Sequence, residues 1–155
     1  MQDILDFLDK CHIKKKESIK LYIDCGGGNT SDFFMITDRL NWMIDLGYDV
    51  SIHILYAGSA AFRLCWEFKG KRVLEREADG MVHMSYMEIP THRSTIIYAD
   101  GTWRGRKEFY EQQDMYEFDF LSEEEKMMYN SWRDLYLSPP RMQEIFSQEQ
   151  PPLQK

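Results

Sequence analysis

Apolar positions along the chain follow two rhythms that alternate. Ile4, Leu5, Phe7 and Leu8 recur at the spacing of a short amphipathic helix over 3–12, and a polar connection follows over 14–18. The apolar-rich run 19–24 predicts a strand. It ends at Cys25-Gly26-Gly27-Gly28-Asn29, a turn that side chains would obstruct. Thr30 or Ser31 is suited to cap the next helix, in which Phe33, Phe34, Ile36, Leu40, Met43, Ile44 and Leu46 recur at helical spacing until Gly47. The stretch 50–56 predicts a buried strand, and a helix is expected over about 59–68. After the turn Lys69-Gly70-Lys71, the segments 72–75 and 81–84 predict short strands around Ala78-Asp79-Gly80. Strand, helix, strand, helix, strand in succession implies parallel strands joined by right-handed crossovers, an α/β fold.

The later half is less regular. A strand is predicted over 94–98 and a helix over 103–118. Ser122 followed by Glu123, Glu124 and Glu125 reads as an N-cap with an acidic first turn, opening a helix to about Leu137. Pro139-Pro140 is expected to stop it. Residues 1–138 are predicted to form a single domain, and 139–155, with Pro151-Pro152, a proline-rich disordered tail.

Composition narrows the function classes. A net charge of −7 argues against nucleic acid as the main partner, and Lys14-Lys15-Lys16 reads as a solvated turn. No apolar run approaches the length of a bilayer span, and the N-terminus lacks a charged-then-apolar leader pattern. Cys11, Cys25 and Cys65 have no metal-site spacing and an odd count, which points to reduced thiols and a cytoplasmic setting. His12, His53 and His92 have no cysteine or carboxylate partners at ligand spacing, so no zinc site is expected, and acyl transfer by a serine needs no metal or organic cofactor. His53, inside a strand, is expected to be a buried neutral imidazole.

The candidate chemistry centres on Ser59. Ala57-Gly58-Ser59-Ala60-Ala61 crowds small residues around one serine where a strand gives way to a helix. Such a turn projects a hydroxyl beside the first backbone N–H groups of the helix, the arrangement nucleophilic acyl transfer needs. The bland alternative is a small residue permitting tight packing. The Gly26-Gly27-Gly28 run is also open to a phosphate-cradling reading, although it lacks the Gly-Lys-Ser/Thr ending and the spaced glycines of nucleotide motifs. Cys25 is a further candidate nucleophile, with packing beneath the turn as its alternative.

The order of these segments resembles the proteolytic subunit of the Clp protease, the ClpP-like serine peptidases, over about residues 4–130. The run from Leu21 to Thr30 matches that family's strand and Pro-Gly-Gly-Ser turn, with Gly26 where proline is usual. Asp49-Val50-Ser51 matches the next strand, and Ala57-Gly58-Ser59-Ala60-Ala61 the nucleophile segment, with Tyr56 at a position usually glycine. Lys69-Gly70-Lys71-Arg72 matches a Gly-Lys-Arg turn. Gly80-Met81-Val82-His83 matches the strand that delivers the histidine, and Phe120-Leu121-Ser122 the segment after the aspartate. The aspartate position itself is Phe118, with Glu117 before it and Asp119 after it.

The resemblance implies a superhelix of β-β-α units with parallel strands, as in ClpP-like and crotonase-like proteins, and a short handle helix. It implies Ser59 as nucleophile, His83 as general base and, with a one-residue slip, Asp119 orienting the base. Gly27 and Ala60 N–H groups would form the oxyanion hole, and Gly28 would hold an extended peptide. Losing one such donor typically raises the barrier by roughly 3–4 kcal/mol. The implied partners are unfolded protein or peptide substrate, further copies of the chain in a heptameric ring, and a Clp unfoldase ATPase. The segment that docks the ATPase has no counterpart before the first helix, and the handle region between His83 and Phe120 is short. Two other readings stay open: an inactive ring subunit whose triad has decayed at its third member, and a crotonase-like enzyme using the same backbone donors on a thioester enolate.

Overall fold

The computed structural model describes residues 2–13, 18–83, 86–89, 95–98, 118, 120–130 and 133–147. The elements along the chain are α1 (Gln2–Ile13), β1 (Ser18–Cys25), α2 (Thr30–Asp45), β2 (Asp49–Gly58), α3 (Ala60–Glu67), β3 (Lys71–Val82), β4 (Tyr86–Ile89), β5 (Thr95–Tyr98), α4 (Glu123–Asn130), β6 (Leu135–Leu137) and α5 (Pro139–Ser147). The fold is α/β, as the alternation predicts, and the chain divides into two compact units, one of Met1–Met81 with Tyr136–Lys155 and one of Val82–Leu135.

The first unit is built on a sheet of strand order β1-β2-β3-β6, in which β1 pairs parallel with β2 and β2 parallel with β3. Sequential order with right-handed crossovers puts successive connecting helices on one face of the sheet. Accordingly α2 and α3 pack against each other. Such a sheet has no point where the strand order reverses, the place where doubly wound nucleotide folds bind their ligands. Alternation along the strands follows from this one-sided covering. Ile19, Val50, Ile52 and Ile54 are buried, whereas Tyr22 is 65% and Leu55 40% exposed.

Helix α1 leans on α2 through polar and aromatic contacts. Asp9 pairs with Arg39, the His12 ring lies 4.9 Å from Trp42, and His12 Nδ1 is 3.0 Å from the Tyr48 hydroxyl. At the other end of the unit, α5 replaces the predicted tail. Pro139 and Pro140 occupy its first turn, where the missing N–H costs nothing because the helix has no acceptor for it there. Met142 and Ile145 are fully buried, and Phe146 lies edge-on to Phe62 and Trp66 at 5.6 and 5.9 Å. Each such buried side chain contributes about 1.5–3 kcal/mol, enough to keep this short helix docked.

Two further expectations are corrected. The segments read as two short strands are one strand, β3, whose pairing with β2 jumps from Ile54↔Leu74 to Tyr56↔Asp79. The helix predicted to reach Leu137 ends at Asn130, and residues Leu135–Leu137 join the sheet as β6.

The second unit contains the antiparallel pair β4–β5, registered from Tyr86↔Tyr98 to Ile89↔Thr95. It also contains α4, opened by a reciprocal capping box. Glu125 N–H donates to Ser122 Oγ at 3.2 Å, and Ser122 N–H donates to Glu125 Oε2 at 2.8 Å. The helix predicted over 103–118 falls almost wholly outside the described residues.

Candidate active site

The site is assembled where two adjacent parallel strands, β1 and β2, each turn into a helix. At the end of β2 the chain passes through Ser59 with φ 51° and ψ −123°, the only described residue other than glycine with positive φ. That conformation crowds Cβ against the backbone and typically costs about 1–3 kcal/mol, so surrounding contacts must hold it. They do. Ser59 N–H donates to the Met81 carbonyl at 2.7 Å, tying the turn to β3. Ser59 C=O accepts from Arg63 N–H at 3.2 Å as the first turn of α3 begins. Ser59 stands at the N-cap, where a serine hydroxyl normally bonds to the helix, yet its side chain makes no capping bond. The hydroxyl is thus spared from structural duty.

The end of β1 lies against this turn. Gly27 has φ 104°, and a Cβ there would sit 2.7 Å from both Gly58 O and Ser59 Cβ and 3.1 Å from Ala60 N. Only glycine fits so close an approach. Gly58 is equally tight, since a Cβ on it would meet Gly26 O at 2.8 Å. Ala60 is the first residue of α3, so its N–H has no acceptor within the helix. Gly27 backbone and Ala60 N–H therefore lie side by side next to Ser59, the neighbourhood that two oxyanion donors require. Cys25 Sγ lies 3.8 Å from Gly27 O, a weak thiol contact to that carbonyl. In a trans peptide the Gly28 N–H then points the opposite way. No protein-family model matches the chain, and no curated protein matches it in sequence.

The predicted site residues thus divide. Gly27, Ser59 and Ala60 come together within the first unit, and Gly28 follows Gly27 along the chain, beside the Phe33 ring. His83 immediately follows β3, two residues along the chain from the Met81 that anchors Ser59, and it is half-buried in the second unit. Asp119 lies outside the described residues. Among the described residues, no group of three or more His, Cys, Asp or Glu side chains could hold a metal ion.

Beside Ala60, a shallow surface dent lies between α2 and α3, walled by Phe33, Phe34 and Arg63. The Arg63 guanidinium is 3.9 Å from the Phe34 ring centre, and its Nε donates to Glu67 at 2.6 Å, so the dent carries a compensated charge.

Three features escape the sequence reading. Asn29, not Thr30 or Ser31, caps α2, its Oδ1 accepting from Ser31 N–H at 3.0 Å; an Asn ahead of Thr-Ser-Asp was the available signal. His53 has a carboxylate neighbour, its Nδ1 2.9 Å from Glu75 Oε1, and its half-buried ring is stacked on Tyr22 at 4.7 Å. Cys65 is wholly buried on α3, and burial pushes its thiol up to about 12, with Arg72 pulling weakly the other way. It is therefore an inert packing residue at neutral pH.

Proposed function

We propose that this chain is a serine endopeptidase of the type the Clp-protease resemblance implies, acting on extended peptide or unfolded protein. One observation carries the reading: the backbone of Ser59 at φ 51°, ψ −123°, on a strand-to-helix turn with the Gly27 backbone pressed against it. A strained serine whose hydroxyl does no capping supports a nucleophile's role at this strand-to-helix turn.

In this mechanism the peptide lies extended along Gly27-Gly28, with Gly28 N–H holding its backbone. Ser59 Oγ attacks the scissile carbonyl carbon while His83 accepts the hydroxyl proton. Negative charge on the carbonyl oxygen is met by the Gly27 and Ala60 N–H groups. His83 returns the proton to the departing amine, and water, activated by the same imidazole, releases the acyl group from Ser59. Asp119 is proposed to orient His83, and no cofactor takes part. The finer architecture, a ClpP-like superhelix with a short handle assembling into a heptameric ring and served by a Clp ATPase, belongs to the same proposal. Sequential strand order supports its first part. A cytoplasmic setting is proposed on the free thiols of Cys11, Cys25 and Cys65. No helix among the described residues is long and apolar enough to cross a membrane.

A fluorophosphonate probe on the intact chain tests the reading. An adduct seen by mass spectrometry and abolished in Ser59→Ala supports it; removing a serine nucleophile typically lowers turnover about a million-fold. An assembled oligomer that never labels overturns it in favour of the inactive ring subunit. Turnover of an acyl thioester that survives Ser59→Ala would favour the crotonase-like use of the same donors.

A further inference from the structure

Between the last residue of β1 and the first of α2 the chain has three consecutive glycines, and two of them, Gly27 and Gly28, have φ of 104° and 149°. Glycine restrains neither dihedral, so the run has many conformations of similar energy. Packing pins part of the run, since the Gly26 backbone lies against Gly58 and Gly27 against Gly58 and Ser59, but side-chain space alone does not choose its path. A Cβ on Gly26 would meet nothing within 4 Å, and one on Gly28 would meet only the Phe33 ring edge at 3.7 Å. Yet Gly27 must sit against Gly58 and Ser59 to place donors beside the hydroxyl. Further restraint comes from the two ends. At one end, Cys25 is held in β1 opposite Ala57, with its thiol toward Gly27 O. At the other, Asn29 is fastened to α2 four times over. Its Oδ1 accepts from Ser31 N–H at 3.0 Å and from Ser31 Oγ at 2.6 Å, and its carbonyl accepts from Asp32 and Phe33 N–H at 3.1 and 3.4 Å.

We infer that Asn29 is a positioning residue for the oxyanion donors. Its carboxamide fixes where the glycine run ends, and so fixes the Gly27–Gly28 backbone against Ser59 and Ala60. The inference rests on the acyl-transfer reading of Ser59. Asn29 itself touches no reacting atom. Its two side-chain bonds go to Ser31 alone, so the carboxamide acts on the site only through the backbone it anchors.

The experiment compares fluorophosphonate labelling rates of wild type, Asn29→Ala and Asn29→Asp, each measured well below its melting temperature. The phosphonyl oxygen of the probe needs the same donors as a peptide oxyanion. Deleting one donor outright costs roughly a hundred- to a thousand-fold, so misplacing it through Asn29→Ala is expected to slow labelling roughly ten- to a hundred-fold. Asn29→Asp keeps an acceptor at the cap and is expected to label within a few-fold of wild type. A cap that served helix stability alone would lower the melting temperature of Asn29→Ala and leave its labelling rate unchanged; that result overturns the inference while the nucleophile reading stands. Equal slowing in Asn29→Asp also overturns it, because the acceptor would then not be what matters. A wild-type chain that never labels removes both together.

Discussion

The two strand-to-helix turns that meet in the first unit solve the same problem in opposite ways. After β1, three glycines absorb the change of direction, and Asn29, in ordinary extended backbone at φ −64°, ψ 118°, caps α2 with its side chain. After β2 the turn has a single residue, Ser59, forced into positive φ, and α3 starts with no side-chain cap. A serine cap is typically worth about 1 kcal/mol, and the strained dihedral costs about 1–3 kcal/mol. The second turn forgoes the first and bears the second. Packing offsets the deficit, since Ala60, Ala61, Phe62, Arg63, Leu64 and Cys65 of α3 are all buried. The relaxed turn spreads its change of direction over glycines, and the strained one concentrates it in a single serine.

That contrast is most strongly tested at Gly27. In Gly27→Ala the new methyl would fall 2.7 Å from Gly58 O and Ser59 Cβ, at a φ that alanine resists. The two turns are expected to separate, lowering fluorophosphonate labelling at least a hundred-fold or so and stability by about 2 kcal/mol or more in chemical denaturation. Its neighbour is the control. Gly26→Ala meets nothing within 4 Å, so it should change stability by no more than about 0.5 kcal/mol; equal damage at both positions would show that glycine there serves only chain flexibility.

Next in size is the strain itself. Ser59→Gly relieves the positive φ but adds backbone freedom to the unfolded chain, a net gain of about 1 kcal/mol in stability with complete loss of labelling. Ser59→Ala loses the label too but keeps the strain, so it should show no such gain. A glycine variant no more stable than the alanine variant would mean that the turn stores nothing.

At neutral pH the remaining effect vanishes; it appears only in alkali and concerns how α3 stays seated without a cap. The Cys65 thiol, raised from 9.0 to about 12 by burial, keeps its proton in the folded chain after the unfolded chain has released it. Stability contributed by this group is complete below about pH 9 and is lost between pH 9 and about 12, at up to about 1.4 kcal/mol per pH unit. Cys65→Ala should flatten that part of the alkaline denaturation curve relative to wild type, and identical slopes would show that the helix seat is wetter than its burial implies.

How much of this was legible in the residues depends on the kind of signal. Helical spacing from Phe33 to Leu46 and the apolar runs of β1 and β2 mark the first unit plainly, because one-sided burial imposes a period on the sequence. The glycine run marks a close backbone approach without saying to what. The conformation of Ser59 has no sequence signature, since serine is equally at home as an ordinary N-cap. Thr30 and Ser31 look as fit to cap α2 as Asn29, and only backbone geometry chooses. At Pro139-Pro140 a breaker and a starter look alike. Proline ends a helix that precedes it and suits the first turn of one that follows, and the buried pair Met142 and Ile145 is too short a pattern to decide. In β3 the extra residues near Ala78-Asp79-Gly80 look like a hairpin turn, whereas the strand takes them up as a break in register.

That break re-phases the two strands. While β2 advances from Ile54 to Tyr56, β3 advances from Leu74 to Asp79, so β3 takes in three more residues over the same step. Glu75, within the step, is tied to His53 at 2.9 Å, and Ala78 is buried. Beyond it, a side chain on Gly80 would collide with Ala57 O and Met142, and Met81 is latched to Ser59 N–H at 2.7 Å. The extra length thereby decides which part of β3 reaches the serine: strict pairing would set Ala78, rather than Met81, opposite Gly58.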